Sequence, residues 1–285
     1  MAQPSSTTTS GHELAGADWL DLHFEASRPQ YEYMIRAVGI QPGWSVLDAG
    51  CGGGSFLPLI HELVGATGSI AALDLAPENV ELVRRRVATQ AFSCAVEPRQ
   101  GSLLHLPYAD NSFDAVWCAN VSQYLDDTEF ATMLDEFRRV TRPGGLVAIK
   151  EFDATGLYWG PMDPFLWTHF FEQGCNLSGR LEFRQFRGCL RTINFPSWLR
   201  NHGYVDIHFQ TVTGNWRHPL RPVERQFLRE VSGFWAAKAE GCVSSAEELA
   251  QWRRLVRDVD GPDHLLNQPD FFARESHGLV VGKAP

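Results

Sequence analysis

No apolar run in this chain approaches the roughly 18 consecutive residues that a membrane-spanning helix needs, so the sequence predicts no passage through a bilayer. A surplus of positive charge is missing as well. Lys and Arg number 25 against 34 Asp and Glu, a formal net charge of -9. That balance disfavours a phosphate-backbone binder. Zinc spacing is absent: cysteines stand at 51, 94, 118, 175, 189 and 242, with no CxxC and no Cys/His cluster. Six cysteines are too few for a disulfide scaffold and read as free thiols of a reducing compartment. Residues 1–16, MAQPSSTTTSGHELAG, have neither the basic nor the apolar region of a signal peptide, and a disordered tail is expected there. The expected location is cytoplasmic. Expected partners exclude nucleic acid, membrane and metal, and the expected state is a monomer or homodimer.

What is present is ample core material: 44% hydrophobic and 12% aromatic residues in 285, enough for one large domain with a lid. Apolar periodicity predicts a helix over about 28–39, a strand over 44–49 and a helix over 55–64. A strand over 69–75 and a helix opened by Pro77 come next. Further strands are expected near 95–101, at 113–118 and at 146–151. Between the last two, Phe130, Met133, Leu134, Phe137 and Val140 form one helical face. Strands alternating with helices imply parallel pairing through right-handed crossovers, hence an open α/β sheet with ligands at the carboxyl ends of its strands. FPSWLRNHGYVDIHFQTV adds a helix and a strand, and SHGLVVG a last strand. The domain is expected to run over 17–285, with helical lid insertions at about 152–192 and 213–265.

The stretch VLDAGCGGGSF, residues 46–56, is a strand entering a turn too tight for side chains. A phosphate loop needs a lysine that does not follow Gly54, and a dinucleotide turn needs a third glycine where Ser55 stands. What remains is Asp48-x-Gly50-x-Gly52-x-Gly54. This resembles the first motif of class I S-adenosylmethionine (SAM) methyltransferases. The resemblance continues through Leu73–Asp74, GSLLHLPYADNSFDAVWCAN (101–120) and RPGG (142–145), and later segments are similar to UbiE-like members.

The resemblance implies a Rossmann-like fold: a mostly parallel seven-stranded sheet with an antiparallel last strand and a helical lid. It also implies SAM as cofactor and S-adenosylhomocysteine (SAH) as product. Asp48 is then expected near the methionine amino group, on a turn of Gly50, Cys51 and Gly52. Asp74 is expected at the ribose hydroxyls, with Asn79 close by. Leu75, Leu103 and Leu104 would sandwich the adenine. Ser102 stands where many members carry an aspartate for the adenine amine. Asn120 would offer its carbonyl to the ammonium, and Arg28, near Tyr31, would pair with the carboxylate.

A base is needed only if the acceptor must lose a proton. The candidates are Glu151 at the end of the fifth strand, His105 and Tyr124. Trp167 and His169 are substrate candidates among the lid aromatics. Arg180, Arg184, Arg187 and Arg191 share a helical face, either a solvated face or a clamp for an anionic substrate such as a carboxylate or prenyl diphosphate. The expected function is SAM-dependent methylation of a small molecule, with C-, N- and O-transfer all open. The rival readings are an RNA or protein methyltransferase, a SAM-binding cyclase or binding protein that transfers no methyl group, and a nicotinamide dehydrogenase.

Overall fold

A computed structural model describes residues 17–169, 188–240 and 245–285. Seven strands form one sheet in the order β3-β2-β1-β4-β5-β7-β6. β1 (Ser45–Ala49), β2 (Ser69–Asp74), β3 (Ala95–Gln100), β4 (Phe113–Ala119) and β5 (Thr141–Gly160) run parallel. β7 (Phe272–Lys283) lies antiparallel between β5 and β6 (Val205–Arg217). The strand order reverses between β1 and β4, which places the switch point of the sheet at the glycine turn.

Strand residues alternate between two cores, as a sheet covered on both faces requires. Val46, Ile70, Trp117, Ala148 and Leu279 face one side, under α2 (Arg28–Ala37) and α3 (Leu57–Val64). Leu47, Val116, Ile149 and Val280 face the other, under α5 (Asp127–Val140) and α6 (Phe195–Asn201). α2 buries Tyr31, Met34 and Ile35, the i, i+3, i+4 stripe of an amphipathic helix. α4 (Pro77–Thr89) starts at its proline. α1 (Ala17–Ala26) is a separate helix ahead of α2, where the periodicity predicts only one. Among the described residues, no helix is long and apolar enough to cross a membrane.

The expected lid boundaries need correction. β5 continues to Gly160 and β6 to Arg217, so residues 152–160 and 213–217 are strand. These extensions carry Leu157, Trp159 and Trp216 into a third core with Trp167, Phe227, Trp252, Leu265 and Phe271. α7 (Pro222–Glu240) and α8 (Ala246–Trp252) pack on this aromatic cap. Antiparallel pairing with β7 explains the extension: it satisfies the backbone well past the parallel strands.

α5 begins with a capping box, Asp126 accepting from the Glu129 amide and Glu129 accepting from the Asp126 amide. Replacing Asp126 with alanine is expected to lower stability by about 1 kcal/mol. Urea unfolding checks this; an unchanged midpoint would show the cap to be inert.

Candidate active site

The glycine turn is shaped by backbone that side chains cannot follow. Gly50, Gly52 and Gly54 have φ of +80°, +53° and +83°, a region that L residues other than glycine seldom adopt. A Cβ on Gly50 would sit 2.5 Å from Val121 Cγ2, and one on Gly52 would sit 2.9 Å from Leu20 Cδ1. The amides of Gly50 and Cys51 both donate to Leu73 O, which ties the turn to the end of β2. α1 closes over it: Ser55 Oγ donates to Asp21, and Arg86 pairs with Asp21 as well.

Asp48 is 2% exposed, and its Oδ2 has no hydrogen-bond partner among the described residues. Burial, with Asp74 nearby, pushes its carboxyl up to about 8. Asp74 is held differently. Its Oδ2 accepts from the Gly52 amide, and its Oδ1 accepts from the Ala76 amide and the Asn79 side chain. Burial raises its pKa and these donors oppose the rise. A carboxylate offers about four lone-pair sites, so one remains open, not the two that both ribose hydroxyls would use. Asn79 therefore acts on Asp74, and Asp74 also fixes the turn into α4.

Ser102 Oγ accepts from the Leu104 amide at 3.2 Å, so its own proton is free to donate. Leu103 is buried; Leu75 and Leu104 are half-buried. Asn120, with φ +59°, accepts from Gln123 Nε2 on its carbonyl, which leaves the second lone pair of that oxygen open. Its side chain donates to Tyr31 Oη at 3.2 Å. Tyr31 stacks on Phe56 of the glycine turn, ring centres 5.6 Å apart. Arg28 is held at the surface by Glu25 and Glu32, its side chain 41% exposed, and not by the turn.

The other candidates are dispersed. Glu151 is fully buried on the α5 side, where its carboxylate accepts from Ser122 Oγ, the Gln123 amide and the Phe152 amide. Tyr124 lies in the 3-10 turn Ser122–Tyr124, and burial beside Glu151 pushes its phenol up. His105 is exposed. Trp167 donates its indole N–H to Leu157 O and packs in the cap. His169 contacts Glu248 at 3.0 Å. Arg184 and Arg187, like Arg180, lie outside the described residues. Arg191 is buried and structural: it donates to Asp127 and to the carbonyls of Ser122 and Leu125.

Sequence reasoning passed over three buried ionisable side chains, Lys150, Glu275 and His277. The signal was there: LVAIKEF breaks an apolar strand with a lysine, and RESHG repeats ionisable residues with period two.

Residues 46–145 match the family described as Methyltransferase domain. That segment spans β1 to β5 and contains the glycine turn, Asp48 and Asp74. The segment is similar to a class I SAM-dependent methyltransferase domain, and this likeness supports SAM as the cofactor. Among relatives of this chain, the methyltransferase GfsG of Streptomyces halstedii is 30% identical over 137 residues, 48% of this chain and 48% of that protein. The demethylmenaquinone methyltransferase of Staphylococcus aureus is 25% identical over 209 residues, 68% of this chain and 81% of that protein. A transposon-encoded protein of Streptomyces fradiae is 36% identical over 129 residues, 45% of this chain and 36% of that protein. The chain thus spans under half the length of two of the curated relatives it matches. The YcgJ protein of Bacillus subtilis shares the fold, with a TM-score of 0.51 and 16% identity over 90% of this chain and 99% of that one.

The residues around the glycine turn fit SAM. Asp48 offers a buried, unpartnered carboxylate oxygen for a cationic group. Gly50 and Gly52 leave room where a Cβ would intrude. Asp74 keeps one acceptor site, and Ser102 keeps a donor.

Proposed function

We propose that this protein transfers a methyl group from SAM to a small-molecule acceptor. The observation that carries the reading is the buried Asp48 carboxyl, without a partner among the described residues, at a glycine turn on the switch point of the sheet. SAM supplies an electrophilic methyl group on a sulfonium, so the chain has to supply alignment and a dry site. Asp48 receives the methionine ammonium, and Asp74 receives one ribose hydroxyl through its remaining lone pair. Leu75, Leu103 and Leu104 flank the adenine, and the Ser102 hydroxyl donates to an adenine ring nitrogen. The cap core of Trp159, Trp216, Phe227 and Trp252 excludes water from the carboxyl ends of β5 and β6 and the amino end of β7. A small-molecule acceptor is supported by the relative whose name gives demethylmenaquinone as its substrate.

Thermal unfolding with SAM, SAH or NAD tests the cofactor seat. At a hundredfold excess over Kd, SAM and SAH are each expected to stabilise the protein by about 2.7 kcal/mol, and NAD by nothing measurable. Stabilisation by NAD alone would overturn the reading. SAH release with a candidate acceptor supports transfer; product formation that leaves SAM intact sinks it and favours a SAM-binding cyclase.

A further inference from the structure

Lys150, Glu275 and His277 project from one face of the sheet. Lys150 alternates with Ala148 on β5, and Glu275 and His277 alternate with Leu279 on β7, all toward α2. Lys150 and His277 are fully buried and Glu275 is 8% exposed. Lys150 Nζ donates to Asn120 Oδ1 and lies 4.0 Å from the centre of the Tyr31 ring. Among the described residues no carboxylate comes within ion-pair reach of it. An ammonium has three protons, so one donor direction is left for an oxygen.

The other members are unsatisfied. Glu275 Oε2 and both ring nitrogens of His277 lack hydrogen-bond partners among the described residues. His277 Nε2 is 3.6 Å from Glu275 Oε2, too long for a hydrogen bond. Gln30 Oε1 is also unpartnered, and its side chain packs on Gly214, the β6 partner of Glu275. Buried polar groups that serve only the fold are paired; this group is not. It adjoins the cofactor seat through shared residues. Tyr31 contacts Phe56 of the glycine turn on one side and His277 on another, ring centres 5.6 and 5.4 Å apart. Asn120 joins Tyr31 to Lys150.

We propose that Lys150, Glu275 and His277 form the oxyanion and proton site for the methyl acceptor, and that this acceptor carries an acidic hydroxyl, an enol or a phenol. The assignment rests on the methyl-transfer reading above. Lys150 holds the oxygen and Glu275 takes its proton. The O–H bond breaks toward Glu275, an oxygen lone pair forms the new O–CH3 bond, and the electron pair of the old S–CH3 bond stays on sulfur. A cationic amine is rejected, because the lysine repels it. Burial drives Lys150 down and Glu275 up from their ordinary values, which brings both toward neutrality, where proton exchange is most useful. The histidines and the phenol on this face stay uncharged. Burial and Lys150 lower His23 to about 3 and His277 well below its usual value, and burial raises Tyr31. Glu151 lies on the opposite face.

The test uses 4-nitrophenol, whose absorbance reports its ionisation, added to the full chain at about pH 6, with and without SAH. Wild type is expected to show the nitrophenolate band in both conditions. Lys150→Met should weaken 4-nitrophenol binding about tenfold or more and remove the band, whereas Glu275→Gln, isosteric with the protonated acid, should keep it. SAH affinity, measured separately by calorimetry, should stay within about threefold of wild type in Glu275→Gln. A wild-type protein that binds SAH and shows no band overturns the acceptor site, as does an undiminished band in Lys150→Met. A wild-type protein that binds no SAH overturns the methyl-transfer reading instead. Because the wild-type band is decisive by itself, variants that fail to fold leave the proposal testable.

Discussion

Replacing Asp48 with asparagine is expected to have opposite effects on stability and on binding. The unliganded variant should be more stable than wild type at pH 8, by a few kcal/mol at most, because each pKa unit is worth about 1.4 kcal/mol. The same variant should bind SAH about tenfold more weakly or worse. The sign comes from the raised carboxyl. Burial and Asp74 lift Asp48 from its ordinary value, near 3.8, to about 8. The folded protein therefore holds this proton more tightly than the unfolded chain does. The stability it confers is fully present below about pH 4 and is lost as pH rises through about 8. Asparagine does not titrate and escapes that loss. A bound ammonium reverses the preference, since it favours the carboxylate. Wild-type affinity for SAH should accordingly climb as pH rises toward 8, and that slope should flatten in the variant. Thermal melts and calorimetry at roughly pH 6 to roughly pH 8.5, on both sides of the raised pKa, measure both quantities. Equal SAH affinity of the two proteins at pH 8 would remove Asp48 from the cofactor seat.

Glu151→Ala should show a different profile, with fold and site failing together. The buried carboxylate satisfies Ser122 Oγ, the Gln123 amide and the Phe152 amide. Its removal strands three donors and takes a counter-charge from the vicinity of Lys150. A loss of about 3 kcal/mol or more is expected. The turn after β4 should loosen, and SAH binding should weaken with it, because Asn120 and Val121 belong to that segment. Urea unfolding and calorimetry on one preparation separate the possibilities. A general base at this position would give a normal unfolding midpoint, normal SAH binding and a collapsed kcat. That result would return Glu151 to the catalytic role its place at a strand end suggested.

Much of the fold was legible in the sequence because its signals are local. Apolar runs of strand length, Pro77 at a helix start and the glycine series after Asp48 each obey steric rules within a few residues. The acid at the end of β2 was legible for the same reason. The extent of β5, β6 and β7 was not, since a strand that grips only its neighbours has no signature separate from theirs. Roles that depend on partners distant in sequence were equally hidden. Arg191 reads as one of four arginines spaced 4, 3 and 4 residues apart, yet its contacts are Asp127 and the carbonyls of Ser122 and Leu125. Arg28 reads from the sequence as a carboxylate ligand of the entry helix, and its pairing with Glu25 and Glu32 shows only in the fold.

Fold class and the kind of cofactor were already legible in the order of residues along the chain. They rest on backbone conformation and on the types of residue at strand ends, which near neighbours control. Which ionisable groups are buried together was settled by packing alone. Lys150 and His277 are 127 positions apart in the chain and share one face of the sheet solely because β7 inserts beside β5. Burial, and the charge state that burial imposes, is a property of that packing and of no single segment.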